Sequence, residues 1–270
     1  MKKKVISIFL IGFISVITII IPITLNMKKN KTYESIVVVP NIDTYKTLTL
    51  EDIAENKINE NITAKEKTYE FYAMMFGIDY NTLLSEIRSA NKTSFNELDL
   101  LQTGNNKASF DAALLEFIVA LETNKSELFK RNYSYKDCSK EYIYNLIEYF
   151  VSLNPSVDLK TAKAITWIET GNLGAQSMLN KNNIFGGMSN GRLTTYPSIE
   201  YGVYKYVMLL KNSYFDQGLQ TVEQIGYKYN PLTVDGVKIA NPTWVSNVNS
   251  YRNKFSSEVK ITSVEKLLNL

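Results

Sequence analysis

DLKTAKAITWIETG, Asp158 to Gly171, is the stretch on which the fold of this chain turns. Asp158 follows Asn154-Pro155 and is placed to cap a helix, and Gly171 supplies a carboxy-terminal stop, so the spacing predicts a helix over 158–170. Within it Ala162, Ile165 and Glu169 fall at i, i+3 and i+7, which sets a carboxylate on the same stripe as core residues. Apolar neighbours disfavour the charged form, and the helix carboxyl end adds partial negative charge. Both effects raise a carboxyl pKa. A carboxyl group still protonated near neutral pH suits a general acid for a glycosidic oxygen. An exposed glutamate in the last helical turn is the plainer reading, and periodicity leaves the two open.

Outward from this helix the chain reads as mainly α. Tyr142, Ile143, Leu146, Ile147 and Phe150 form an apolar face after Ser139. Ser198 is placed to cap a helix over 199–211, Thr221 with Gln224 forms a capping box, and Asn241-Pro242 opens a last helix. Between Gly171 and Tyr196 lies a loop rich in Gly and Asn, long enough for a small hairpin beside a cleft. Upstream, apolar-periodic stretches around Tyr69–Met75, Leu83–Ile87 and Phe110–Leu121 predict a short helical accessory region over 61–137. Residues 32–60 read as a linker, with a β-prone run from Ile36 to Val39 followed by Pro40. Residues 258–270 read as a tail. No internal repeat or low-complexity tract is present.

The first 31 residues carry Lys2, Lys3 and Lys4, an apolar run from Val5 to Leu25, and then Lys28, Lys29 and Lys31. That run has the length of the roughly 20 residues a spanning helix needs, and it lacks the short core and small-residue site of a cleaved leader. It predicts an uncleaved, single-pass transmembrane anchor. The flanking lysines nearly balance, so charge alone does not orient it.

Composition removes whole classes of chemistry. Histidine is absent and Cys138 is the single cysteine, so no Ser-His or Cys-His nucleophile, His-bearing zinc site or internal disulfide can be written. Cys138 reads as a packing residue. A formal net charge of +3 without a basic block argues against nucleic acid as a partner. No metal or organic cofactor is implied. Carboxylates, Tyr hydroxyls and amides are left to carry any catalysis, which favours glycoside chemistry.

Five segments in order then become recognisable: AITWIETGN from Ala164, NKNNIFGGM from Asn180, TYPSIEYGV from Thr195, YKYNP from Tyr227 and NPTWVSNV from Asn241. Together they resemble the bacterial glucosaminidases of glycoside hydrolase family 73, in the lysozyme-like superfamily. The resemblance implies a lysozyme-like helical catalytic domain with a small loop and hairpin lobe over 138–257. It implies Glu169 as catalytic acid, Tyr229 beside the anomeric centre, and substrate contacts from Asn182, Asn183, Phe185, Gly186, Gly187 and Tyr196. Tight-turn and core roles for these residues remain the plainer alternatives. Trp244 shares an apolar helical face with Val248 and Tyr251 and reads as core.

The implied function is endo-β-N-acetylglucosaminidase action on peptidoglycan glycan strands, by a membrane-anchored chain whose bulk lies outside the cytoplasm, where that substrate is. One departure matters. Many relatives carry a second acid in the hairpin, and here no Asp or Glu occurs between Glu169 and Glu200. Glu200 in a first helical turn and Asp235 in Val234-Asp235-Gly236 read as cap and turn residues. A lytic transglycosylase using one glutamate is the close alternative. A noncatalytic, membrane-tethered cell-wall-binding scaffold whose accessory region holds a protein partner is the other.

Overall fold

The computed structural model describes residues 66–93, 107–130 and 138–269, and nearer the amino terminus only four short strands. Residues 1–65 and 66–270 are separate compact units. In the first, β1 (Leu10–Gly12) pairs antiparallel with β2 (Ser15–Ile17), and β3 (Glu34–Val37) with β4 (Lys46–Thr49). The expected anchor and linker otherwise lie outside the described residues. Among the described residues no helix is long and apolar enough to cross a membrane.

The second unit is mainly helical. It runs α1 (66–76), α2 (Tyr80–Thr93), α3 (Lys107–Asn124), α4 (Lys140–Ser152), α5 (Leu159–Thr170) and the single turn α6 (Gln176–Leu179). The hairpin β5 (Met188–Ser189) and β6 (Arg192–Leu193) follows, then α7 (Ile199–Ser213) and α8 (Val222–Tyr229). A second hairpin, β7 (Pro231–Val234) with β8 (Val237–Ala240), leads into α9 (Pro242–Arg252) and a final turn, α10 (Val264–Leu267).

Local chemistry sets these boundaries. Ser139, Asp158, Ser198, Thr221 and Asn241 each accept a backbone N–H at the start of α4, α5, α7, α8 and α9, and Thr221 with Gln224 completes the capping box. Gly171 ends α5 at φ 57°, a left-handed conformation that favours glycine. The β5–β6 turn is Asn190-Gly191, with φ of 50° and 73°, the signature of a two-residue hairpin turn.

One continuous core joins the stretches expected to be accessory and catalytic. Tyr72, Met75 and Phe76 of α1 and Leu114 and Ile118 of α3 are fully buried in the same cluster as Leu146, Ile147 and Phe150 of α4 and Val203 and Tyr206 of α7. Cys138 packs against its edge. At the centre is a polar chain. The Tyr72 and Tyr149 hydroxyls lie 2.7 Å apart, Tyr149 donates to Asp111 Oδ2 at 2.8 Å, and the Val264 amide donates to the same oxygen at 2.9 Å. Asp111 thereby ties α1, α3 and α4 to the carboxy-terminal turn.

That terminal segment is clamped a second time. Glu148 of α4 pairs with Lys163 of α5 at 2.7 Å and accepts the amides of Lys260 and Ile261. Residues 258–269 are therefore held against the domain, with Val264 and Leu267 buried. Replacing Asp111 by Asn keeps its volume but exchanges a charged acceptor for a neutral amide. Asp111→Asn is expected to destabilise the chain by about 1.5 kcal/mol, the scale of a hydrogen bond to a charged group, read from urea unfolding midpoints at unchanged slope.

Candidate active site

Glu169 sits in the last turn of α5, beyond Ala162 and Ile165, which are both fully buried on the stripe the sequence marks out. The carboxyl group is half-buried, and the indole Nε1–H of Trp244 donates to its Oε1 at 3.1 Å. Its other oxygen, Oε2, faces Gly186, where an added Cβ would stand 3.5 Å away. Burial pushes the Glu169 carboxyl above the usual glutamate range, and the Trp244 donor, which favours the ionised form, draws it partly back.

The loop that faces Glu169 is built by its own asparagines. Asn183 is fully buried, donates to the carbonyls of Gly187 and Thr194 at 2.9 and 3.0 Å, and accepts the amides of Phe185 and Gly187. Asn182, at φ 53°, donates to the Tyr196 carbonyl at 2.9 Å. These two side chains hold the loop's shape from beneath. Phe185 is buried between Tyr196, at 6.0 Å, and Tyr206, at 5.1 Å, both rings within 30° of parallel. A Cβ at Gly187 would stand 2.5 Å from the Phe185 ring, so any larger residue there must displace that ring. Of the six expected substrate contacts, Gly186 is the one set directly against Glu169.

Tyr229 closes α8 and joins three parts of the site. Its hydroxyl donates to the Phe185 carbonyl at 2.8 Å, and its ring stacks on Trp244 with centroids 5.3 Å apart and planes at 23°. Burial holds its phenol well above the ordinary tyrosine range, with the nearby Glu169 charge acting in the same direction. Tyr229 thus stands in contact with the loop and with the tryptophan that binds Glu169. Tyr229→Phe keeps the stack but leaves the Phe185 carbonyl without this donor, so a loss of about 1 kcal/mol is expected in equilibrium unfolding.

Trp244 is both core and site. Its ring is 4% exposed, as its spacing with Val248 predicts, yet its one polar atom is aimed at the acid. Helical periodicity reports which face a residue occupies and is silent about where an indole N–H points. Tyr206 was hidden in the same way. It is fully buried on α7, stacks on Phe185 and donates to the Ala162 carbonyl at 2.8 Å, fixing α5 relative to the loop.

The other carboxylates lie elsewhere. Glu200 lies in the first turn of α7 as expected, but it is 2% exposed and accepts the Tyr142 hydroxyl of α4 at 3.0 Å, while the side-chain cap is made by Ser198. Asp235, at φ 52° beside Gly236 at 79°, forms the β7–β8 turn. No second carboxylate among the described residues contributes to the titration of Glu169. No family model, curated protein or solved structure matches this chain.

Proposed function

We propose that this chain is a peptidoglycan glycan-strand hydrolase, an endo-β-N-acetylglucosaminidase of lysozyme-like fold, with Glu169 as its general acid. The observation that carries the reading is the Glu169 carboxyl itself: half-buried, raised by that burial, and hydrogen-bonded by a donor-only indole. The five ordered motifs that resemble bacterial glucosaminidases support it, as does the absence of histidine. The apolar amino-terminal run supports a membrane anchor, and the proposed substrate, which lies outside the cytoplasm, is the reason for placing the catalytic domain there.

In the proposed reaction, protonated Glu169 gives its proton to the oxygen of the bond that follows N-acetylglucosamine. The bond from the anomeric carbon breaks and its electron pair leaves on that oxygen. The oxocarbenium-like centre is stabilised by the substrate's own N-acetyl carbonyl, since no second carboxylate among the described residues acts on Glu169. Water then adds to the anomeric carbon, and its proton returns to Glu169.

The same lone acid favours one other reading, a lytic transglycosylase in which a sugar hydroxyl replaces water. Mass spectrometry of borohydride-reduced fragments, released from purified cell wall by the full chain in detergent, separates the readings. Reduced N-acetylglucosamine ends are the expected result. Anhydromuramic ends would establish the transglycosylase, and bound wall with no soluble fragments would favour the noncatalytic scaffold.

A further inference from the structure

Glu169 has two oxygens, and their surroundings are not equivalent. An indole N–H donates and cannot accept, and the unprotonated oxygen of a carboxyl group is a stronger acceptor than its hydroxyl oxygen, so the Trp244 donor favours the proton on the other oxygen. The contact at 3.1 Å is to Oε1. Oε2 lies against Gly186, which at φ +70° presents no side chain to cover it.

Trp244 is itself held firmly. Tyr229 stacks on its ring, and Gly226 of α8 packs so closely that a Cβ there would meet the indole at 3.1 Å. Its backbone amide is anchored to the Asn241 cap. The direction of the N–H is therefore fixed by contacts within α8 and α9.

We infer that Trp244 is a positioning residue: its N–H fixes Oε1 of Glu169 as an acceptor and leaves Oε2, on the Gly186 side, as the oxygen that holds and delivers the acid proton. The inference rests on the reading of Glu169 as general acid and deepens it. The proton passes from Oε2 to the glycosidic oxygen as that bond breaks, and Oε1 stays hydrogen-bonded throughout. The cleaved bond must then approach on the Gly186 side of the carboxyl group.

The titratable groups that face Glu169 are the phenols of Tyr206 on α7 and Tyr229 on α8, both kept neutral by burial. Removing the Trp244 donor is therefore read against a constant background. Replacing Trp244 by benzothienylalanine exchanges the N–H for sulfur and preserves ring shape and the Tyr229 stack; Trp244→Phe is the genetic counterpart. The readout is the ¹³C carboxyl titration of Glu169 in the full chain, assigned by its loss in Glu169→Gln.

The expected result is a Glu169 midpoint raised by about one pH unit in the sulfur isostere, which loses a donor to the ionised form while keeping the burial. The alkaline limb of the rate profile should move up with it, and kcat should fall about tenfold with KM unchanged. An unmoved titration midpoint in the sulfur isostere overturns the inference, whatever the rate does. If the unaltered chain cleaves no glycan, the proposed activity fails, and the titration still decides whether Trp244 governs the Glu169 proton.

Discussion

Glu169→Gln is expected to lower fragment release from purified cell wall by roughly 10²–10⁴-fold, the usual contribution of a general acid, while leaving the protein folded. Glutamine preserves the shape of the side chain, and its amide oxygen still accepts from Trp244, so the contact at 3.1 Å can persist. What is lost is the transferable proton. The stability change has a definite sign. The folded-state pKa of Glu169 is raised, so the fold favours the protonated form. Below the unfolded pKa there is no penalty; as pH rises toward and through the folded value, the buried carboxylate costs stability. A neutral glutamine escapes that cost, and Glu169→Gln should unfold at or above the temperature of the unaltered chain at neutral pH.

The activity of the unaltered chain has the matching pH dependence: it falls as pH climbs through the raised Glu169 value, because the acid must be protonated to act. Glu200 supplies the contrast. It is turned toward Tyr142 and away from this chemistry, so Glu200→Gln should retain activity. A folded but inactive Glu200→Gln would sink the single-acid reading, and an active Glu169→Gln would sink the assignment of the acid.

Much of this arrangement was legible because it is local. A cap and its amide lie two or three residues apart, so Asp158, Ser198, Thr221 and Asn241 announce the helices they start. The stripe through Ala162, Ile165 and Glu169 needs only one helical period. What stayed hidden depends on partners distant in sequence. Trp244 and Glu169 are 75 residues apart, and Glu148 meets the Ile261 amide across 113. Asn182 and Asn183 have the composition of sugar-binding residues, yet each satisfies carbonyls of its own loop, because buried carbonyls there have few other donors. The burial of Glu200 could not be inferred either, since a first-turn acid on a helix is ordinarily explained by the dipole alone.

Gly202→Ala is the substitution expected to harm the fold most per atom added, against the sign that helix propensity would give. Gly202 lies within α7, where alanine is ordinarily favoured over glycine by about 1 kcal/mol. Here a Cβ would stand 1.9 Å from the carbonyl oxygen of Asn182 and 3.3 Å from the Tyr196 ring. The obstacle is backbone, so it cannot rotate aside. Asn182 is also held by its side-chain bond to the Tyr196 carbonyl. Either α7 or the loop must shift, and overpacking of this kind typically costs about 1–3 kcal/mol, occasionally more. Steric cost exceeds the propensity gain, and a net loss of about 2 kcal/mol is expected from chemical unfolding. The displaced loop is the one that sets Gly186 against Oε2 of Glu169, so glycan release should fall at least about tenfold as well. Gly218→Ala is the control: it too has a positive φ, 79°, but open space around it. Its cost should be confined to backbone strain of about 1 kcal/mol, with activity unchanged. A Gly202→Ala chain as stable as the unaltered one would mean that α7 does not pack on the 182–187 loop this closely, and the close approach of that loop to Glu169 would lose its support.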